Sequence, residues 1–113
     1  MSWRKFETQN NWQELLSASE IEPQLVFKHS TRCSISSMVL GRFEGSELFQ
    51  KKLLGLWFLD LIAFRDLSNL IALETNVSHE SPQCIVLDKQ KVIYAESHGA
   101  INAKAIQDLI QNL

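Results

Sequence analysis

Residues 24 to 36, QLVFKHSTRCSIS, decide how the rest of this chain is read. Leu25, Val26 and Phe27 have strand character, Lys28 to Arg32 make a polar bend, and Cys33 then stands at the first turn of a helix. A helix start offers unpaired N–H groups and the positive end of the macrodipole, and both favour a thiolate over a thiol. The thiolate is the reactive form. Two readings of Cys33 follow from this placement: a nucleophilic thiol poised for thiol–disulfide exchange, and a half-buried structural cysteine.

Moving toward the C-terminus, Ile35, Met38, Val39 and Phe43 keep the spacing of one buried helical face. Gly41 and Gly45 weaken that helix by about 1 kcal/mol each relative to Ala, so it is expected to kink or end early. Leu56 to Ile62 is a nearly unbroken apolar run after Gly55, the pattern of a strand covered on both faces. Asp66 is placed to cap a helix whose Leu67, Leu70 and Ile71 face inward, and Asn76 suits a left-handed residue at its end. Cys84 to Leu87 and Val92 to Ala95 are separated only by Asp88 to Lys91, which permits an antiparallel hairpin and nothing longer. Asn102 then caps a last helix carrying Ile106, Leu109, Ile110 and Leu113, with Ile101 and Ile106 spaced as a hydrophobic staple. Toward the N-terminus, Asn11 and Glu14 have capping-box spacing before Trp12, Leu15 and Leu16, and Pro23 ends that first helix. Strand, helix, strand, helix, hairpin, helix is the order of an α/β thioredoxin-like domain, with a central four-stranded mixed sheet and flanking helices.

The chain has 113 residues, which predicts a single domain over residues 1–113 with a core that needs no disulfide or metal staple. Lys plus Arg number 11 and Asp plus Glu 13, for a net charge of −2, and no segment gathers basic residues as a nucleic-acid footprint would. No apolar stretch reaches the roughly 18 residues of a membrane span, and the first residues, MSWRKFETQNNWQ, lack a signal-peptide core. A cytoplasmic location is therefore expected, and a reducing compartment argues against a structural disulfide between Cys33 and Cys84.

Three segments, FKHSTRCSIS at 27–36, LDLIAFRDLSN at 59–69 and VSHESPQ at 77–83, together resemble the YtxJ-type bacillithiol-associated family of monothiol thioredoxin-like proteins, the bacilliredoxin-like family. The resemblance implies a monothiol oxidoreductase acting on mixed disulfides between proteins and bacillithiol or a similar low-molecular-weight thiol. The partners would be that small thiol, as co-substrate, and S-thiolated proteins, with no tightly bound cofactor, metal, nucleic acid or membrane. It also implies that Cys33 is the redox cysteine, that Ser36 occupies the place of a thioredoxin's second cysteine, and that Pro82, after Ser81, is the cis-proline beside the active site. Thr31, Arg32, Ser34, Ser36, Ser81 and Pro82 make up the expected supporting set. One departure stands out: the family usually has Pro directly after its cysteine, where this chain has Ser34, and proline there would rigidify the helix entry.

Other residues carry competing readings. Lys28, His29 and Arg32 would add positive charge near the sulfur, or form a solvated loop. Ser36, one helical turn beyond Cys33, could hydrogen-bond the thiolate or be an ordinary exposed serine. Cys84 in an apolar strand reads as core rather than as a resolving thiol. His29 and His79 with Cys33 lack the paired short spacings of a metal site, and His98 beside Gly99 reads as a loop residue. Asp60 is either a buried acid or a strand-end carboxylate capping the following loop. Besides the monothiol exchange reading, two functions stay open: a redox-inactive thioredoxin-fold module holding an extended peptide beside Pro82, and iron–sulfur carriage, against which the loop after Cys33 lacks a Gly-Phe pair.

Overall fold

The computed structural model describes residues 3–113. In chain order these form β1 (Arg4–Lys5), α1 (Gln9–Ser19), β2 (Gln24–His29), α2 (Ser34–Glu44), α3 (Glu47–Gln50), β3 (Gly55–Asp60), α4 (Arg65–Thr75), β4 (Gln83–Asp88), β5 (Lys91–Ser97) and α5 (Ala103–Gln111), with a 3-10 turn at His98–Ala100. The strands make one mixed sheet in the order β1-β3-β2-β4-β5. β2 runs parallel to β3 and antiparallel to β4, and β4 turns back into β5. This is the expected thioredoxin-like arrangement with one correction, a fifth strand. The added β1 has only two residues, both exposed, so no hydrophobic alternation announces it. Its neighbours hold it: the Phe6 N–H donates to the Phe58 carbonyl at 2.9 Å, and the Trp3 ring meets Phe27, Phe43, Phe49 and Phe58.

All six residues of β2 are buried, because helices cover both of its faces. Leu25 and Phe27 point into a core with Val39, Phe43, Leu48, Phe49 and Ile106, under α2, α3 and α5. Val26 points the other way, into a core with Phe6, Trp12, Leu15, Trp57 and Ile71 under α1 and α4. At the far end of the strand the Trp57 Nε1–H donates to Gln24 Oε1 at 2.8 Å. A Cβ at the paired Gly55 would lie 1.9 Å from that Oε1, so the glycine leaves room for the amide.

Several boundaries move from their sequence positions for local reasons. The cap of α1 is Thr8 rather than Asn11: Asn11 is the third helical residue and closes the capping box, while its Nδ2 donates to Glu14 at 2.7 Å. Asp66 sits in the first turn of α4, whose cap position is Phe64. The carboxylate that organises this connection is Asp60, whose Oδ1 accepts from the Ile62 and Ala63 N–H groups at 3.1 and 3.3 Å. β3 accordingly stops at Asp60. α2 ends at Glu44, with Gly45 as its C-cap, and Ser46 starts the separate α3. Asn76 takes the predicted left-handed conformation at φ 58°. The hairpin turns through Lys89 and Gln90, both at positive φ. Their N–H groups donate to the Ser19 carbonyl and hydroxyl, so tertiary bonds compensate the unfavourable backbone there. Asn102 caps α5 as predicted, accepting from the Ala105 N–H at 3.0 Å. No helix among the described residues is long and apolar enough to cross a membrane.

Candidate functional site

Cys33 is the N-cap residue of α2, in extended backbone (φ −112°, ψ 118°), and its side chain makes no capping bond. The Cys33 N–H donates to the Ser30 carbonyl at 3.2 Å, which closes the turn out of β2, and the first helical bond runs from the Ser37 N–H to the Cys33 carbonyl. The N–H groups of Ser34, Ile35 and Ser36 thus have no acceptor within the helix and lie at its positive end, where a thiolate is favoured. The thiol is free and half-buried. Thr31, Arg32 and Ser34, which flank it, are exposed.

Ser36 fits neither reading of an exposed serine nor of a thiolate donor. It is fully buried. Its hydroxyl accepts from the Ser30 N–H at 3.2 Å and pairs with His29 Nδ1 at 2.8 Å. The hydroxyl therefore ties the last residue of β2 and the following bend to the first turn of α2, which sets where the N-cap falls. Burial pushes the His29 pKa down, and Asp60 and then Glu44 pull it partly back. No local pattern announces this pair, since the two residues are seven apart on different elements.

Lys28 is a second departure. It belongs to β2 rather than to the bend, it is fully buried, and its Nζ donates to the Ser68 carbonyl of α4 at 3.1 Å. Burial lowers its pKa to about 8. Lys28 thus faces α4 while His29 faces α2, so Lys28 is directed to the opposite side of the sheet from the helix that carries Cys33. His79 likewise points to Ser68 Oγ, at 2.9 Å, on the α4 side, so His29 and His79 lie on opposite faces of the sheet.

β4 pairs antiparallel with β2, Gln83 opposite Lys28, and this brings Pro82 to the same end of the sheet as Cys33. The Ser81–Pro82 peptide is cis. The Pro82 carbonyl accepts from the His98 N–H at 2.9 Å, and His98 Nε2 lies 3.5 Å from Glu80 Oε1. His98, at φ 56°, is therefore part of the frame around Pro82, a role its sequence context of Ser97 and Gly99 does not reveal. Cys84 is opposite Phe27 in mid-sheet, fully buried, and burial pushes its thiol pKa far up.

The site thus combines a half-exposed thiol at a helix N-cap with a cis-proline loop at the same end of a mixed sheet. Among solved structures, the chain is similar to a protein provisionally described as an oxidoreductase with a thioredoxin fold, at 27% identity and TM-score 0.81, covering 95% of this chain and 92% of that one. It also shares its fold with thioredoxin f from spinach chloroplasts (short form; 12% identity, TM-score 0.72, 98% and 92% covered) and with thioredoxin NaTrxh from Nicotiana alata (16% identity, TM-score 0.72, 98% and 91% covered). The profile of the family described as monothiol bacilliredoxin BrxC matches residues 4–106. A match over that span takes in Cys33, Ser36 and Pro82 together with every strand, and the chain belongs to the monothiol bacilliredoxin family of thioredoxin-fold thiol oxidoreductases.

Proposed function

We propose that the protein is a monothiol oxidoreductase that uses Cys33 to resolve mixed disulfides between proteins and a low-molecular-weight thiol such as bacillithiol. The Cys33 thiolate attacks the small-thiol sulfur; a Cys33–small-thiol disulfide forms as the original S–S bond breaks, and the electron pair leaves on the protein sulfur as a thiolate. A second small-thiol molecule, also as thiolate, attacks the small-thiol sulfur of that disulfide; the small-thiol disulfide forms as the bond to Cys33 breaks, and the electron pair leaves on Cys33 as its thiolate. The order follows from access, because the sulfur of a small flexible thiol is easier to approach than one flanked by protein backbone.

The observation that carries this reading is the contrast between the chain's two thiols. Cys33 is half-exposed at the head of α2, whereas Cys84 is 0% exposed in β4 and the position one turn beyond Cys33 is the buried Ser36. Resolution by an internal disulfide is thereby disfavoured, and turnover depends on free small thiol, which a reducing cytoplasm supplies. The chemistry needs no bound cofactor. Arg32, Thr31 and Ser34 at the rim, and the Ser81–Pro82 backbone, are the groups available to the incoming disulfide.

Incubation with a bacillithiol-capped reporter peptide, followed by intact mass, tests the proposal. The expected product is a one-thiol adduct on Cys33, equal in wild type and Cys84→Ser and absent in Cys33→Ser, with turnover proportional to free small thiol. An internal Cys33–Cys84 disulfide as the main product, or no adduct at all, would overturn it.

A further inference from the structure

We infer that Lys28, Ser68, His79 and Gln83 form an internal polar latch that positions the loop leading into Pro82, and that the latch closes only while His79 is neutral. This deepens the proposed chemistry at Cys33 and rests on it for its functional consequence. The loop, Val77 to Pro82, has no regular secondary structure, so its position depends on side-chain anchors. His79 Nδ1 pairs with Ser68 Oγ at 2.9 Å, and Gln83 Nε2 donates to the Ser78 carbonyl at 2.8 Å. Ser68 is fully buried, and its carbonyl accepts from Lys28 Nζ at 3.1 Å. The same α4 residue therefore holds a lysine of the central strand and a histidine of the loop. Lys28 and Gln83 are register partners, so their side chains lie side by side on the α4 face, and both are buried. Gln83 Oε1 has no partner, and the ammonium has one protein acceptor for its three protons. A buried cation with so few partners is costly, and an apolar side chain of similar size would be expected to pack there at no greater cost, which points to a role beyond stability.

The charges that face His79 come from three elements. Lys28 on β2 and Arg65 on α4 oppose a positive imidazole, while Glu80 in its own loop favours one and is shared with His98 beyond β5. Burial, then Lys28 and Arg65, hold the His79 pKa below the ordinary histidine range. When His79 does take up a proton, an imidazolium stands one serine away from the Lys28 ammonium. The Ser68 hydroxyl can still accept from the protonated Nδ1, so it is the repulsion from Lys28 and Arg65, not the loss of that hydrogen bond, that drives His79 away from α4. The loop then loosens, three residues before the proline at the Cys33 end of the sheet.

Two reagents read Cys33 differently. Iodoacetamide needs only the thiolate, whereas a bacillithiol-capped peptide also needs the loop, and the ratio of their rate constants from about pH 5 to about pH 8 isolates the loop. The wild-type ratio of peptide exchange to alkylation should fall several-fold as the pH is lowered and His79 takes up its proton, as followed by its imidazole NMR shifts, and should be flat in His79→Gln, which keeps a hydrogen-bonding amide without the charge. In Lys28→Met the fall should move to higher pH, because a repelling charge is gone. Amide hydrogen exchange of residues 77–82, corrected for intrinsic rates, should speed up over the same range in wild type and not in His79→Gln. A flat wild-type ratio or unchanged loop exchange would overturn the latch. Normal alkylation with no peptide exchange at any pH would instead defeat the proposed chemistry, and the loop exchange would still decide the latch.

Discussion

On one side of β2, Leu25 and Phe27 meet Val39, Phe43, Leu48 and Phe49 in a wholly apolar core, with the Trp3 ring packed against three of these aromatics. On the other side, Val26 packs among Trp12, Leu15, Trp57 and Ile71, but the next inward residue is Lys28, followed across the sheet by Gln83 and beneath α4 by Ser68. The apolar side seats α2, the helix that carries Cys33, mainly by burial, which is non-directional and strong, with hydrogen bonds only at its margins, from Ser36 to His29 and from Arg42 to the Ile101 carbonyl. The polar side gives up part of that burial for hydrogen bonds that have direction, and those bonds end on the loop before Pro82. One face of the strand sets how firmly the thiol-bearing helix is held; the other sets where the loop facing it lies.

Phe27→Ala should have the largest effect, a loss of about 3 to 5 kcal/mol of stability measured by urea unfolding, because it opens a cavity among rings that cannot collapse into it. A loss below 1 kcal/mol would mean that the apolar face does not dominate stability. The next effect is on pH dependence. Folding lowers the Lys28 pKa from 10.5 to about 8, so between those values the unfolded chain holds a proton that the folded one has shed. Stability contributed through Lys28 therefore rises with pH across that window, by on the order of 3 kcal/mol in all, and is fully depressed below it. Unfolding at pH 7.5 and pH 10 should show this gain in wild type relative to Lys28→Met; equal slopes would mean that Lys28 is solvated. The smallest effect belongs to the junction between the two faces. Ser34→Pro should stabilise by about 0.4 to 1 kcal/mol, since the first helical position has no intrahelical bond to lose and a preset φ restricts the unfolded chain. Cys33 already has the extended backbone that a following proline requires. A destabilised Ser34→Pro would show that the Ser34 N–H has a role in the folded protein.

The legibility of the chain follows the same division. The βαβ unit, the hairpin, the Asn102 cap and the left-handed Asn76 were readable because each depends on neighbours within a few residues, through period, capping or turn chemistry. Cys33 at a helix start was readable for that reason as well. A charged residue after three apolar ones looks like the end of a strand, so the local pattern puts Lys28 in the bend; only its pairing with Gln83 and Leu59 shows that the strand continues. β1 was invisible because two exposed residues carry no pattern. Spacing along the helix relates Ser36 to Cys33, whereas its hydroxyl faces back toward His29 and Ser30 at the end of β2.

By itself, then, the sequence determined the thioredoxin-like order of elements, the residue at the head of α2 and the family to which the chain belongs, since these rest on local periodicity and on short motifs. Tertiary structure alone decided which side chains those elements bring together. His29 with Ser36, Lys28 with Ser68, Ser68 with His79, and His98 with the Pro82 carbonyl join residues 7, 40, 11 and 16 positions apart. Such pairs are set by strand register and by which sheet face a helix covers, and a shift of one residue in register would send each strand side chain to the opposite face.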